Sequence, residues 1–204
     1  PGENTLSLHD ALPIYGNAVY VAEALWNLSG ALALAAYARI GSAEREAAAR
    51  LTARVMRHTL LILSVVGVAL IALAGLVVDL VFPEEFAGMV TPIRILVPGT
   101  LVFGLAAVFS GYFTYQLGRP WASVAVASTA LVIDIALAVA LVPAMGIDGA
   151  ALATTVSYVC AMGLALVWFA RSSRIGMANV FRYTRADLDD YRTLFGRLRA
   201  AISG

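Results

Sequence analysis

The sequence predicts an all-α integral membrane protein: five antiparallel transmembrane helices followed by an amphipathic helix on the cytoplasmic side. Three observations predict it. The chain of 204 residues is 61% hydrophobic and only 13% charged, whereas a soluble domain is about 45–50% apolar and about 25% charged. Five apolar runs are each long enough as helix, roughly 32–36 Å, to cross a hydrocarbon core of about 30 Å. The arginines alternate between the turns that separate those runs.

The spans are expected at about 15–38, 59–82, 95–117, 121–142 and 150–170. The first is the most polar. The separators are turn-like: FPEEFAG (82–88), LGRP (117–120) and VPAMGIDG (142–149). Pro98 falls inside the third span, where a membrane helix tolerates it. Between the first two spans, residues 43–57 read as a connector helix, with Glu46 and Arg50 paired at i,i+4 and Leu51 and Val55 on one side. In the tail, 176–204, the residues Leu188, Tyr191, Phe195, Leu198 and Ile202 recur at helical spacing, and Arg185, Arg192 and Arg199 recur every seven. Thr184 with Asp187 resembles a helix N-cap. The pattern predicts a surface helix on the inner leaflet, or a short helix packed on the loops.

All 14 basic residues are Arg. Arg39, Arg45, Arg50, Arg54 and Arg57 follow the first span, Arg119 follows the third, and Arg171, Arg174, Arg182, Arg185, Arg192, Arg197 and Arg199 follow the fifth. A five-span chain puts these on one side. The opposite loops, 83–93 and 143–149, carry Glu84, Glu85 and Asp148. The positive-inside rule makes the Arg-bearing side, including the C-terminus, cytoplasmic. Arg94 is the exception. A single cysteine, Cys160, leaves no disulfide framework and no Cys-based zinc site.

Residues 5–14, TLSLHDALPI, resemble one reading frame of the common Illumina sequencing adapter, in which ACT CTT TCC CTA CAC GAC GCT CTT CCG ATC encodes all ten residues. Residues 1–14 are therefore expected to be non-native, like any expression scar, with the native text starting near Tyr15. His9 and Asp10 are then no catalytic dyad. Resequencing the source locus with a different library chemistry is expected to join an apolar sequence to Tyr15; TLSLHDALPI encoded there would overturn this reading.

Within the first span, Gly16, Tyr20, Glu23, Asn27 and Gly30 fall at spacings of 4, 3, 4 and 3, so they share one helix face. A polar stripe inside a membrane helix faces a cavity or another helix, not lipid. Asp134 lies near the middle of 121–142. A central Asp costs roughly 2.5–3.5 kcal/mol on insertion scales, so it pairs, takes a proton or meets water. Glu23 and Asp134 are thus the candidates for ion coupling. Gly149, Ala153 and Ser157 form a small-xxx-small face that reads as packing. Tyr112, Tyr115 and Gln116 read as an interfacial aromatic belt.

Three stretches carry a family resemblance. YGNAVYVAEALWNLSGALALAAYARIGSAE is similar to a helix and basic loop of bacterial polysaccharide flippases, and PEEFAGMVTPIRILVPGTLVFGLAAVFSGYFTYQLGRP to their loop, helix and GR turn. DIALAVALVPAMGIDGAALATTVSY resembles their L-x-P-x-x-G-x-x-G-A-A-x-A-T-x-x-S-Y ending, matched by Pro143, Gly146, Gly149, Ala150, Ala151, Ala153, Thr154, Ser157 and Tyr158. Asp134 departs from the pattern, which more often has Asn nearby. Over residues 15–175 the chain resembles the oligosaccharide (Wzx-like) branch of the MATE-like transporter superfamily. The resemblance implies a C-terminal lobe that lacks its first helix. It implies movement of undecaprenyl-pyrophosphate-linked oligosaccharide across the bacterial inner membrane for surface polysaccharide. It places the first span at a central cavity, which makes Tyr20, Glu23 and Asn27 candidate cargo contacts. Arg94 is a further candidate, for the lipid pyrophosphate, or else a side chain that snorkels to the surface. The implied partners are the lipid-linked oligosaccharide, membrane lipids and the missing N-terminal lobe, with no nucleic acid and no cofactor. A drug or cation exporter lobe of the same superfamily is the alternative. A glycan-assembly enzyme is a weaker one, because no phosphate-cradling Gly loop or nucleophile–base pair is found.

Overall fold

The computed structural model describes residues 8–176 and 180–183. The tail helix expected over 188–202 and its cap at Thr184 lie outside the described residues. In order, the elements are α1 (Leu8–Glu23), α2 (Leu25–Ser42), α3 (Arg45–Val81), a 3₁₀ turn (Glu84–Met89), α4 (Val90–Phe103), α5 (Ala106–Gly111), a π-helical turn (Tyr112–Gln116) and α6 (Trp121–Ser173). Among the described residues four stretches are long and apolar enough to cross a membrane: Ala11–Ser42, Arg45–Val81, Glu84–Gln116 and Trp121–Ser173.

The count differs from the expected five because the 143–149 loop is absent as a loop. Helical geometry continues through Pro143 and is broken at Gly146 alone (φ 59°, ψ −134°), a backbone region that glycine tolerates and L side chains do not. One such residue is enough to turn the chain back. A straight 53-residue helix would hold Trp121 and Trp168 roughly 70 Å apart at 1.5 Å per residue. Their rings instead meet at 5.0 Å, and Thr154 bonds Asp134 across the turn. The two arms of α6 therefore lie side by side. Gly149 makes this possible, since a Cβ there would sit 2.5 Å from the Leu141 carbonyl oxygen. Gly149, Ala153 and Ser157 are all buried, so the small face packs as expected.

Two further expectations are corrected. The connector over 43–57 is no separate element. It is the N-terminal part of α3, whose 37 residues run without a break from Arg45 to Val81, because nothing between Glu46 and His58 interrupts a run of good helix formers. The belt at the end of the third span is likewise only partly interfacial. Tyr115 is exposed, but Tyr112 is fully buried and meets Phe169 edge-on at 4.9 Å. The π-helical turn displaces Tyr112 from the register of an α-helix.

α4 is the central element. Gly99 lets it touch the second arm of α6: a Cβ at Gly99 would lie 2.6 Å from the Thr155 Cα, and the Thr155 hydroxyl donates to the Ile95 carbonyl at 2.6 Å. α2 runs beside α4 and α5 and donates side-chain hydrogen bonds into them. The Trp26 indole reaches the Thr100 carbonyl at 3.1 Å, the Ser29 hydroxyl reaches the Gly104 carbonyl, and the Tyr37 hydroxyl reaches the Ala107 carbonyl at 2.9 Å. These bonds bracket the break at Gly104–Leu105. Inside a membrane such bonds average only about 0.6 kcal/mol each, so they fix register more than they stabilise. Close backbone approach carries more. Gly99→Ala is expected to force α4 and α6 apart at a cost of about 1–3 kcal/mol, read as a lowered melting temperature of the purified protein in detergent. An unchanged melting temperature would show that the helices shift freely at that contact.

Contacts along the elements give their directions. Gly99 lies against Thr155 and Phe109 meets Phe169, so α4–α5 runs parallel to the second arm of α6. Arg94 bonds the Ile71 carbonyl, while Leu63 abuts Gly104, so α3 runs the other way. Arg45 donates to the Ser172 carbonyl at 2.8 Å. The described arginines other than Arg94 thereby gather at one end, and Glu84, Glu85 and Asp148 at the other. At the arginine end Arg57 is buried, donates to the Val180 carbonyl at 3.1 Å, and accepts from the Tyr183 hydroxyl through its own carbonyl at 3.2 Å.

Candidate functional site

The helix α1–α2 has two faces. Ile14, Ala18, Ala22, Leu25, Ser29, Ala33, Ala36 and Ile40 are buried, at spacings of three and four, and form its packing side. The polar stripe lies elsewhere. Tyr20 is 77% exposed, Asn27 is exposed, and a Cβ on Gly16 or Gly30 would meet nothing within 4 Å. The stripe thus opens away from the bundle core. Small residues on the packing side draw the helix close, which turns the larger polar groups outward.

Glu23 is the exception, because its carboxylate turns inward at one edge of the stripe. Its Oε1 accepts from the Tyr158 hydroxyl at 2.8 Å. One helical turn earlier on the same arm of α6, the Thr154 hydroxyl donates to Asp134 Oδ1 at 2.9 Å. The Tyr15 hydroxyl and Thr154 Oγ1 are 2.8 Å apart. Thr154 has a single proton and gives it to Asp134, so Tyr15 is the donor in that pair. Two carboxylates from opposite sides of the site are therefore held by two hydroxyls on one face of the second arm. A central Asp in lipid needs such a partner. Glu23 and Asp134 both retain acceptor capacity, since an ionised carboxylate offers about four lone-pair sites. The arrangement suits donors: hydroxyl groups of a saccharide, or a proton or cation shared between the acids.

The Tyr158 ring is fixed independently of its hydroxyl. It stacks on Phe103 with centroids 4.5 Å apart and 17° between planes, and it meets Trp26 at 5.6 Å. On the far side of Phe103 lies an apolar cleft of about 280 Å³ between α2, α5 and the first arm of α6, lined among others by Tyr37, Ser110, Phe113 and Ser123. The Ser123 hydroxyl bonds that of Ser110 at 3.0 Å, which leaves the cleft with little polar demand. Neither carboxylate lines it.

Of the residues singled out in the sequence, Glu23 and Asp134 are held in two separate hydrogen-bonded groups, by Tyr158 and by Thr154, one helical turn apart on the second arm of α6. Tyr20 and Asn27 share the stripe but face outward. Arg94 stands apart: it is exposed, and its Nε–H donates to the Ile71 carbonyl at 3.2 Å. Tyr15, Thr154 and Tyr158 complete the site. Thr154 and Tyr158 were visible only as an i,i+4 pair within the ending motif.

Residues 31–189 match the family described as lipid II flippase MurJ, over more than three quarters of the chain. The chain belongs to that family. No curated protein and no solved structure matches it. The MurJ match covers Asp134, Thr154, Tyr158 and Arg94 and begins after Glu23 and Asn27. The match shows a lipid-linked flippase family and does not extend to the polysaccharide (Wzx-like) branch that the sequence resembles. A flippase is a transporter, and the family's description names lipid II as what it flips.

Proposed function

We propose that residues 15–175 form the C-terminal lobe of a bacterial inner-membrane flippase, with residues 1–14 non-native and a first lobe supplied by the rest of the native chain. The two arms of α6 are separate crossings, giving five in all, and the arginine end, with the C-terminus, is cytoplasmic. The cargo is a saccharide carried on an undecaprenyl-pyrophosphate lipid. Lipid II, named for the family, is the leading candidate within that class, and the oligosaccharide precursors of surface polysaccharide are the second. The stripe of Tyr20 and Asn27 faces the cargo path. Glu23 and Asp134 bind its donors or carry the coupling ion, and exposed Arg94, at the end opposite the other arginines, is free to meet the pyrophosphate. The observation that carries this reading is the pair of carboxylates tied to one arm of α6 beside an open polar face.

The experiment is growth of a host depleted of its own lipid II flippase and supplied with the full-length gene. Restored growth supports lipid II as cargo. Restoration only of surface polysaccharide, in a host lacking that flippase, moves the assignment to the second candidate. Restoration of neither, with the protein abundant in the membrane, rejects the reading.

A further inference from the structure

We propose that Tyr158 is a positioning residue: it holds the Glu23 carboxylate beside the cargo path and braces the 3₁₀ turn between α1 and α2. The inference rests on the assignment of Glu23 to the cargo path.

Glu23 is the last residue of α1. The next residue, Ala24, has φ −54° and ψ −26°, which are 3₁₀ values. The Asn27 amide bonds the Ala24 carbonyl at 3.2 Å, three residues back instead of four. A 3₁₀ turn within a long helix is a common site of bending. The Tyr158 side chain grips both sides of this turn. Through its hydroxyl it holds Glu23, at 2.8 Å. Through its ring it meets Trp26, in the first turn of α2, at 5.6 Å. Trp26 is itself anchored, its indole N–H donating to the Thr100 carbonyl at 3.1 Å, and Phe103 of α4 stacks on the opposite part of the cluster. One side chain of α6 therefore ties the end of α1 and the start of α2 to α4. A carboxylate fixed in this way has one rotamer to offer cargo, and fixing it in advance removes an ordering cost from binding. The 3₁₀ turn is braced by the same bond, so a change at Glu23 is felt in the helix that carries the stripe.

Removing the hydroxyl alone isolates this role, because Phe keeps the ring stack. In the full-length transporter, Tyr158→Phe is expected to lower the flipping of fluorescent lipid II in proteoliposomes about tenfold, the loss expected for a hydrogen bond to a charged group. Membrane abundance should hold. Placed on Glu23→Ala, the same change is expected to cost nothing further. A purely packing role for Tyr158 would cost nothing in either background, and a hydroxyl acting independently of Glu23 would cost as much in both; either result would overturn the proposal. The second readout is geometric. With Cys160 replaced by Ser, spin labels at the exposed positions 20 and 34 should show one narrow distance in the parent and a broadened distribution in Tyr158→Phe. An unchanged distribution would also overturn it. If Glu23→Ala itself flips lipid II at the parental rate, the assignment of Glu23 to the cargo path fails. If Glu23→Ala is impaired and Tyr158→Phe is not, the positioning role alone fails.

Discussion

Glu23→Gln in the full-length transporter lowers export of the lipid-linked cargo roughly five- to seventyfold, the range expected when a hydrogen bond to a charged group, worth about 1.5–3 kcal/mol, becomes a neutral one worth about 0.5 kcal/mol. Gln keeps the volume, and its carbonyl oxygen still accepts from Tyr158, so the 2.8 Å bond and the stack on Phe103 survive. Only the charge is lost, along with the ability to take up a proton. Membrane abundance should therefore stay near the parental level. Asp134→Asn should be milder. Its amide oxygen accepts from Thr154 as the carboxylate does. Export and abundance are measured together for both variants. Parental export by Glu23→Gln, or a loss that falling abundance fully explains, returns Glu23 to a packing role.

Residues 15–204 expressed alone restore no transport. The stripe opens onto empty space: Tyr20 is 77% exposed, and Gly16 and Gly30 have no neighbour where a side chain would stand. A cavity needs a second wall, and alternating access needs one body to rock against another. The expected result is complete failure to support growth where the full-length gene succeeds, with both proteins detected in the membrane. Growth on residues 15–204 alone would refute the two-lobe account and point to a pair of identical lobes.

The membrane class was legible because composition and run length leave lipid as the only solvent for so much apolar surface. The segregation of arginine was legible for the same reason: it depends on the order of spans and not on their packing. Turn geometry was not. Nothing in VPAMGIDG distinguishes a seven-residue loop from a hairpin turning on one glycine, because the deciding fact is the backbone of Gly146 (φ 59°). Residues 43–57 were read as a separate helix because their arginines end the apolar run. Helical hydrogen bonding continues past a change in polarity, and α3 crosses it without a break. At the site, Glu23 and Asp134 stood out because acids are costly in lipid. Their partners did not. Thr154 and Tyr158 are ordinary residues for a membrane helix, and only folding the second arm of α6 against both α1 and its own first arm gives them carboxylates to hold. Tyr15 was missed because its partner is 139 positions away.

The most direct test is photo-cross-linking. A lipid II analogue with a photoreactive group near its saccharide, incorporated with the full-length transporter in proteoliposomes, is predicted to label peptides carrying Tyr20, Glu23 and Asn27, and unlabelled lipid II is predicted to compete that labelling away. Labelling confined to the outward-facing residues of α3, such as Val65, Val68 and Leu80, or labelling of the stripe that competitor leaves unchanged, would contradict the claim that this face meets the cargo.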